Sequence, residues 1–414
     1  MKVTQLHTLV NAVTQEILGE TGVVAEDLSN VVDIGKTIID SDNVDNYVKK
    51  LVNHIGKVVF VNRLYTGGVP SVLMDSWEYG SILEKISADL PEATINETWA
   101  LEDKKDYFLH FKNCGLNSLR RSCGTKPRDY SPDVFYKPSV SAKFFNSKVT
   151  FEIPMSFTEI QVKESFSSKE QLNGFISMLT TSIENSMTVK LDALIMRTIN
   201  NMTAETLVAE LNTADEGLPV VIDQTATGVK AVNLLKLYNE TVTTPLTADK
   251  AITDPDFIRF ATYQISMYSD RMSKISTLFN VEKAERFTPK DLQHVVLLSD
   301  FAKASEVFLK SNTDHAEMVA LPKHETVPYW QGSGLAYSFD DVSTINVKTA
   351  SKADVNVKGI LGVIFDRDAL GVSNLDRRVT TNYNPRAEFY TNFYKFDAGY
   401  YNDLSENFVL FFIG

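Results

Sequence analysis

Five residues come nearest to a chemical constellation: Asp314, His315, Glu317, His324 and Glu325. Imidazoles and carboxylates are the usual ligands of zinc-like cations, but this spacing follows no metal-ligand pattern and the segment reads as a surface loop. Asp366 and Asp368 flank Arg367 directly after an apolar run. Two carboxylates around a guanidinium could exchange protons with a substrate, yet in a turn after a strand they more often form a local ion pair and cap the turn. His7, His54, His110 and His294 sit beside helix or strand patterns, as packing or surface histidines do. Arg120, Arg121, Lys126 and Arg128 cluster near Cys114 and Cys123, with Pro127, Pro132 and Pro138 around them. A basic cluster can hold an anion, but no glycine-rich turn or helix N-terminus accompanies this one, so it reads as a solvated or intersubunit loop. The chain carries no Walker loop, G-x-G-x-x-G, G-x-S-x-G or H-E-x-x-H. No catalytic, cofactor-binding or metal-binding residue is assigned, and no cofactor is expected.

The elements around these residues are organised on one helix. From Ser167 to Asn200, Leu172, Phe175, Ile176, Leu179, Ile183, Met187, Leu191, Leu194, Ile195 and Ile199 recur in steps of three and four, which keeps one apolar stripe on one side. Ser167 with Glu170 three residues on is a capping-box pattern. Such a stripe needs a partner along its length, most simply a sheet.

The 414 residues exceed one ordinary domain, and 43% hydrophobic content supplies real cores. A formal charge of -12 argues against a dedicated nucleic-acid binder, because phosphate neutralisation needs clustered Lys and Arg. Two cysteines are too few for a disulfide framework and fit a reducing cytoplasm. The N-terminal residues do not read as a secretory leader, and no apolar run is long enough to span a bilayer, so a soluble intracellular protein without membrane contact is expected.

Along the chain, Leu6 to Leu18 and Asp42 to Ile55 read as helices, Lys57 to Leu64 as extended, and Thr66 to Pro70 as a turn. Val24 to Ser41 shows little periodicity. Val149, Phe151, Ile153, Met155 and Phe157 alternate with polar residues, as in a half-buried strand, and Ile160 and Val162 continue on the opposite phase, which predicts a bulge near Thr158 and Glu159. Pro154 cannot donate to a ladder, so this strand belongs at an edge or in a two-stranded ribbon, with Val72 to Tyr79 as its expected mate. The apolar row of this ribbon is expected to be left for neighbouring molecules to cover. Ala204 to Leu211 reads as a separate short helix before a break at Asp215 to Pro219. Val220 to Ile222 (strand), Ala231 to Glu240 (helix), Phe257 to Phe279 (helix opened by Asp254-Pro255), His294 to Leu298 (strand) and Phe301 to Leu309 (helix) read as a compact α/β lobe. Gly359 to Phe365 is a further strand. Ala387 to Phe396 and Asn407 to Ile413 read as two strands of a hairpin turning at Asp397 to Tyr401.

The run Gly-Ile-Leu-Gly-Val-Ile-Phe-Asp-Arg-Asp-Ala-Leu-Gly at 359–371, then Arg377-Arg378-Val379, Tyr383-Asn384, the strand Glu388 to Phe396 and the closing Glu406 to Phe411, resembles the C-terminal part of tailed double-stranded DNA bacteriophage major capsid proteins, most closely those of small podoviruses. The resemblance implies an α+β fold of the Hong Kong 97-like type with a long spine helix, an extended β-ribbon loop, a peripheral domain and an axial domain. It places an N-terminal arm at 1–65, the extended loop with an insert (94–147) at 66–165, the peripheral domain at 166–215 with 365–414, and the axial domain at 216–364. The function implied is a self-assembling major capsid (head) protein of an icosahedral shell around packaged double-stranded DNA. Implied partners are other copies in hexamers and pentamers, a separate scaffolding protein, a portal, head-decoration proteins, and DNA bound without sequence specificity. Its place would be the virion capsid, after synthesis in the host bacterial cytoplasm. Two alternatives stand beside it: an encapsulin-type nanocompartment shell, and an α+β enzyme with an interdomain site around Asp366 or His315.

Overall fold

The protein was analysed as a computed structural model that describes residues 11, 14–15, 24–25, 30–40, 73–74, 83–88, 140–161, 169–214, 219–310, 321–331, 338–349 and 354–414. The expected helices at 6–18 and 42–55, the extended 57–64 and the turn at 66–70 lie largely or wholly outside them, as do Ser167 of the capping box and the basic cluster with its cysteines. The strands are β1 (Leu73–Met74), β2 (Leu83–Ala88), β3 (Val140–Phe145), β4 (Lys148–Thr158), β5 (Ala231–Asn233), β6 (Gln293–Leu298), β7 (Glu325–Val327), β8 (Ile345–Lys348), β9 (Asp354–Val357), β10 (Ile360–Asp366), β11 (Leu370–Asn384), β12 (Phe389–Asn402) and β13 (Phe408–Phe412). Contacts divide the chain into one unit of Met1–Leu83 with Phe145–Gly414 and a second of Glu84–Phe144. Within the second, the described residues belong to the two-stranded β2–β3 sheet, where Ile86 and Phe144 are exposed.

The spine helix runs unbroken over Lys169–Leu211, 43 residues and about 65 Å at 1.5 Å per residue. The expected end at Asn200 and the separate helix at 204–211 are therefore corrected. Polar residues that look like a break are satisfied by the helix itself: the hydroxyls of Thr198, Thr203 and Thr206 donate to the carbonyls of Leu194, Ile199 and Met202 at 2.8, 3.0 and 2.8 Å. Leu179, Ile183, Met187, Leu191, Leu194, Ile195 and Ile199 are all buried, as the stripe requires. Each contributes roughly 1.5–3 kcal/mol of apolar burial.

Two sheets lie along this rod. The first has the order β1-β11-β12-β4, so β4 is an edge strand, as Pro154 demands. Its mate is β12, with Phe157 opposite Tyr390 and Val149 opposite Ala398, while Leu73–Met74 pairs in parallel with Val372 and Ser373 of β11. The expected pairing of β4 with 72–79 is thus corrected. Long-range pairing leaves no local mark in sequence, so the nearer segment at 72–79 reads as the partner although β12 is. β4 alternates as read, but its apolar row is covered by its own chain: Phe157 is buried, and Phe151, Ile153 and Met155 pack against the core that includes the spine helix. No bulge follows. Residues 159–161 turn helical because Thr158 and Gln161 form a capping box, with Gln161 N–H donating to Thr158 Oγ1 at 3.2 Å and Thr158 N–H to Gln161 Oε1 at 3.0 Å.

The expected C-terminal hairpin is also corrected. β12 runs straight through 397–401, its hairpin partner is β11 across the turn at 385–388, and β13 joins a different sheet. That second sheet has the order β5-β13-β10-β6-β7. Val295, Leu297, Leu361, Ile364, Val409 and Phe411 face helices Leu234–Asn239, Pro255–Met272 and Ser299–Lys310, whereas Val296, Val363, Phe365, Leu410 and Phe412 belong to the core of the spine helix. The α/β lobe is thus present with altered boundaries. Ala231–Asn233 is a strand before its helix, the helix opened by Asp254-Pro255 ends at Met272, and 220–222 contributes only an isolated bridge, Ile222 to Asn212. Asp254 caps as read, accepting from the amides of Asp256 and Phe257 at 2.9 Å each. The aperiodic 24–41 segment contains a helix, Val31–Asp40, whose Val31, Ile34 and Ile38 lie at helical steps that Gly35 obscures.

Candidate functional site

Asp366, His294 and His324, which the sequence singled out and the structure describes, are engaged in internal contacts. Asp366 is 5% exposed; its Oδ2 accepts from Thr288 Oγ1 at 2.6 Å and its Oδ1 from the Asp368 amide at 2.9 Å, so it caps the turn as expected. Burial pushes its carboxyl above the ordinary range, against the pull of those two hydrogen bonds. Thr288 in turn accepts from Asn407 Nδ2 at 3.1 Å, and Arg286 pairs with Glu406 at 3.3 Å. The result is a polar clasp between the 276–288 loop and the start of β13. His294 stacks on Phe365 at 5.5 Å, and burial lowers its basicity. His324 Nδ1 lies 2.9 Å from the Pro322 carbonyl. Asp314, His315 and Glu317 fall outside the described residues, as do His7, His54 and His110, and no group of potential metal ligands occurs among the described ones.

Other polar residues, missed in the sequence, fix the fold's two halves to one another. Glu210, in the last turn of the spine helix, accepts the amides of Val229, Lys230 and Ala231 at 3.1, 2.7 and 2.6 Å, and Lys230 Nζ lies 3.1 Å from its carboxylate. A Cβ at Gly228 would meet that carboxylate, so any larger residue there would make Glu210 shift. An open cleft of about 860 Å³ beside the helix is lined by Asp192, Arg197, Asn200, Tyr329, Trp330 and Lys348 among others. Asn200 Nδ2 donates to the Trp330 carbonyl at 2.7 Å, and the Trp330 indole N–H to the Ile360 carbonyl at 2.9 Å.

The two faces of the four-stranded sheet differ in kind. Towards the helix run aromatic pairs, Phe157–Tyr390 at 5.9 Å, Tyr383–Tyr390 at 4.7 Å and Phe151–Phe396 at 5.0 Å. Among them, Asn392 is buried with neither polar side-chain atom partnered, and the buried Tyr394 hydroxyl has no partner either. The opposite face is a charged ladder. Arg378 grips Asp397 through two nitrogens at 2.9 and 3.2 Å, Thr150 Oγ1 donates to Asp397 at 2.6 Å, and Lys395 pairs with Glu152 at 3.1 Å. Large apolar side chains are also exposed on the α/β lobe. Ile275 and Phe287 stand opposite one another beside the Ser276–Arg286 bridge, with Leu278 nearby.

One long helix that locks a four-stranded sheet to an α/β lobe makes this an α+β protein. The chain belongs to the Phi29-like phage major capsid protein family, whose sequence model matches residues 10–412. No curated protein matches it. Among solved structures it is similar to the capsid of Staphylococcus phage Andhra, at 11% identity and a TM-score of 0.44 over 86% of this chain and 87% of that one. It is likewise similar to the capsid of cyanophage P-SCSP1u, at 10% identity and a TM-score of 0.41 over 86% and 94%. A third similar structure, described as the head fiber and inner core protein gp22 of native bacteriophage P68, has 11% identity and a TM-score of 0.44 over 83% of each chain. The protein is therefore a capsid subunit, one that self-assembles into the virion shell, and the nanocompartment alternative is not favoured. Among the described residues no helix is long and apolar enough to cross a membrane.

Proposed function

We propose that the chain tiles an icosahedral podovirus-like head as hexamers and pentamers, assembled on a separate scaffolding protein around a portal and filled with double-stranded DNA held without sequence-specific contacts. The subunit is made in the host bacterial cytoplasm and catalyses nothing; decoration proteins bind the finished head. The observation that carries this reading is the family match over residues 10–412. Supporting it, Asp366, one of the two acids around Arg367 that suggested proton exchange, has both oxygens committed to internal hydrogen bonds. The domain plan is 1–65 as arm, 66–165 as extended loop, 166–215 with 365–414 as peripheral domain and 216–364 as axial domain. Sheet membership favours two adjustments: β4 goes with the peripheral part, and β13 with the axial part.

A net charge of -12 makes copies repel at low ionic strength, so moderate salt promotes assembly. That inverts the behaviour of a protein held to DNA by counterion release. Light scattering and negative-stain microscopy across a salt series, with and without the cognate scaffolding protein, test the proposal. Closed shells that increase with salt are expected; a compact monomer at every salt, even with that partner, overturns it.

A further inference from the structure

Among the described residues β4 pairs with a strand on one side only, β12, and the hydrogen-bond register tells which of its backbone groups point to the other edge. Glu159 N–H donates to the Glu388 carbonyl at 3.0 Å, and Tyr400 N–H to the Ser147 carbonyl at 3.1 Å. In an antiparallel pair the bonded residues alternate, so the odd-numbered residues of β4 face β12 and the even-numbered ones turn their N–H and C=O outward. Pro154 is even-numbered: its missing N–H falls on the free edge and costs the ladder nothing. Thr158 is even-numbered too, and its outward N–H is already taken by its own Gln161 side chain. The far half of the edge is thus guarded. The near half is not: Lys148, Thr150 and Glu152 are exposed, with neither a proline nor a side-chain cap on their outward N–H groups.

The geometry points to a two-fold contact in which this edge pairs antiparallel with the same edge of a second copy of the chain, centred on Thr150. This rests on the self-assembly of the subunit, and three features single out an identical partner. Centring on Thr150 sets Lys148 opposite Glu152 of the other copy, and the same pair repeats on the far side of the axis, so the edge is complementary in charge to itself. The outward residues 148, 150 and 152 then form consecutive hydrogen-bonded pairs. The next outward position is Pro154, which stops the ladder at both ends by symmetry and holds the pairing to a fixed register rather than an extending one.

Two measurements on the full chain test it. Amide hydrogen exchange compares free wild-type subunits with assembled shells. The amides of Thr150 and Glu152 should slow at least tenfold on assembly, while the fold's own ladder amides at Phe151 and Ile153 are protected in both states. In the second, Thr150→Cys with Cys114→Ser and Cys123→Ser should give a covalent dimer when shells are treated with a short thiol-to-thiol crosslinker, because hydrogen-bonded antiparallel partners stand about 5.5 Å apart at Cα. If wild-type shells form and these amides still exchange freely, the edge contact is wrong. Protection without a Thr150→Cys dimer means another strand covers the edge and overturns the two-fold pairing. If wild-type shells never form, the failure lies with self-assembly itself.

Discussion

The carboxylate of Glu210 accepts the amide of Ala231 at 2.6 Å, and through it the last turn of the spine helix holds the first residue of β5. Two further amides, of Val229 and Lys230, converge on the same side chain. Hydrogen bonds to a charged acceptor are the stronger kind, and three donors would be orphaned at once. Glu210→Ala should lower unfolding free energy by about 2–4 kcal/mol in a urea titration. Glu210→Gln, which keeps one acceptor oxygen, should lose less. An unchanged midpoint for the alanine variant would mean that the clasp adds nothing.

Asn392 makes the opposite prediction. It is buried at the helix–sheet seam with both polar atoms unpartnered, so the fold carries its desolvation without return. Asn392→Leu, which keeps the same branched four-atom skeleton, should stabilise the subunit by about 1–3 kcal/mol, seen as a raised melting temperature in calorimetry. Loss of stability in this variant would show that the site is satisfied in solution.

Asp366 sets a pH dependence of one sign. Burial raises its folded-state pKa above that of the unfolded chain, so folding takes up a proton and this residue's contribution is most favourable below the unfolded value. The contribution is lost as pH rises through the raised folded value. Relative to Asp366→Asn, the wild type should therefore gain stability as pH is lowered from neutral toward 4, an interval to be followed by denaturant midpoints at each pH. A difference that stays flat would remove Asp366 from the account.

Asp397 gives the other sign. Burial alone would raise its pKa, but hydrogen bonds from Thr150 and Arg378 and the Arg378 charge outweigh it and hold the carboxyl below the usual range. Its stabilisation is present above the unfolded value and is lost as pH falls through the depressed folded one. Asp397→Asn should accordingly be less stable than wild type at neutral pH, the gap closing in strong acid. Melting curves at pH 7 and below 3 would show it. Equal stability at both would mean that the ladder on this face is ornamental to the fold.

Local rules, read from the residues alone, determined the elements. The three-and-four stripe from Leu179 to Ile199, the alternation from Val149 to Phe157, the edge position imposed by Pro154 and the Asp254-Pro255 helix start each depend on neighbours a few residues away, and each stands in the structure. The turn-capping role of Asp366 was legible for the same reason. The phase change near Thr158 and Glu159 reads as a bulge, but the structure resolves it as the capping box of Thr158 and Gln161. Tertiary structure decided the rest, because it concerns partners far apart in the chain. The partner of β4 lies 233 residues away at its Phe157–Tyr390 pair, and β13 leaves β12 for β10 and β5 although 397–401 has the composition of a turn. The spine helix continues past Asn200 because the carbonyl of Trp330 and the helix's own carbonyls satisfy buried polar groups that in water would favour a break. Glu210 looks like one more exposed acid until Val229, Lys230 and Ala231 are brought to it. A periodic pattern tells which face of an element is buried, but what covers that face is fixed only when distant segments compete for it and the best-satisfied pairing wins.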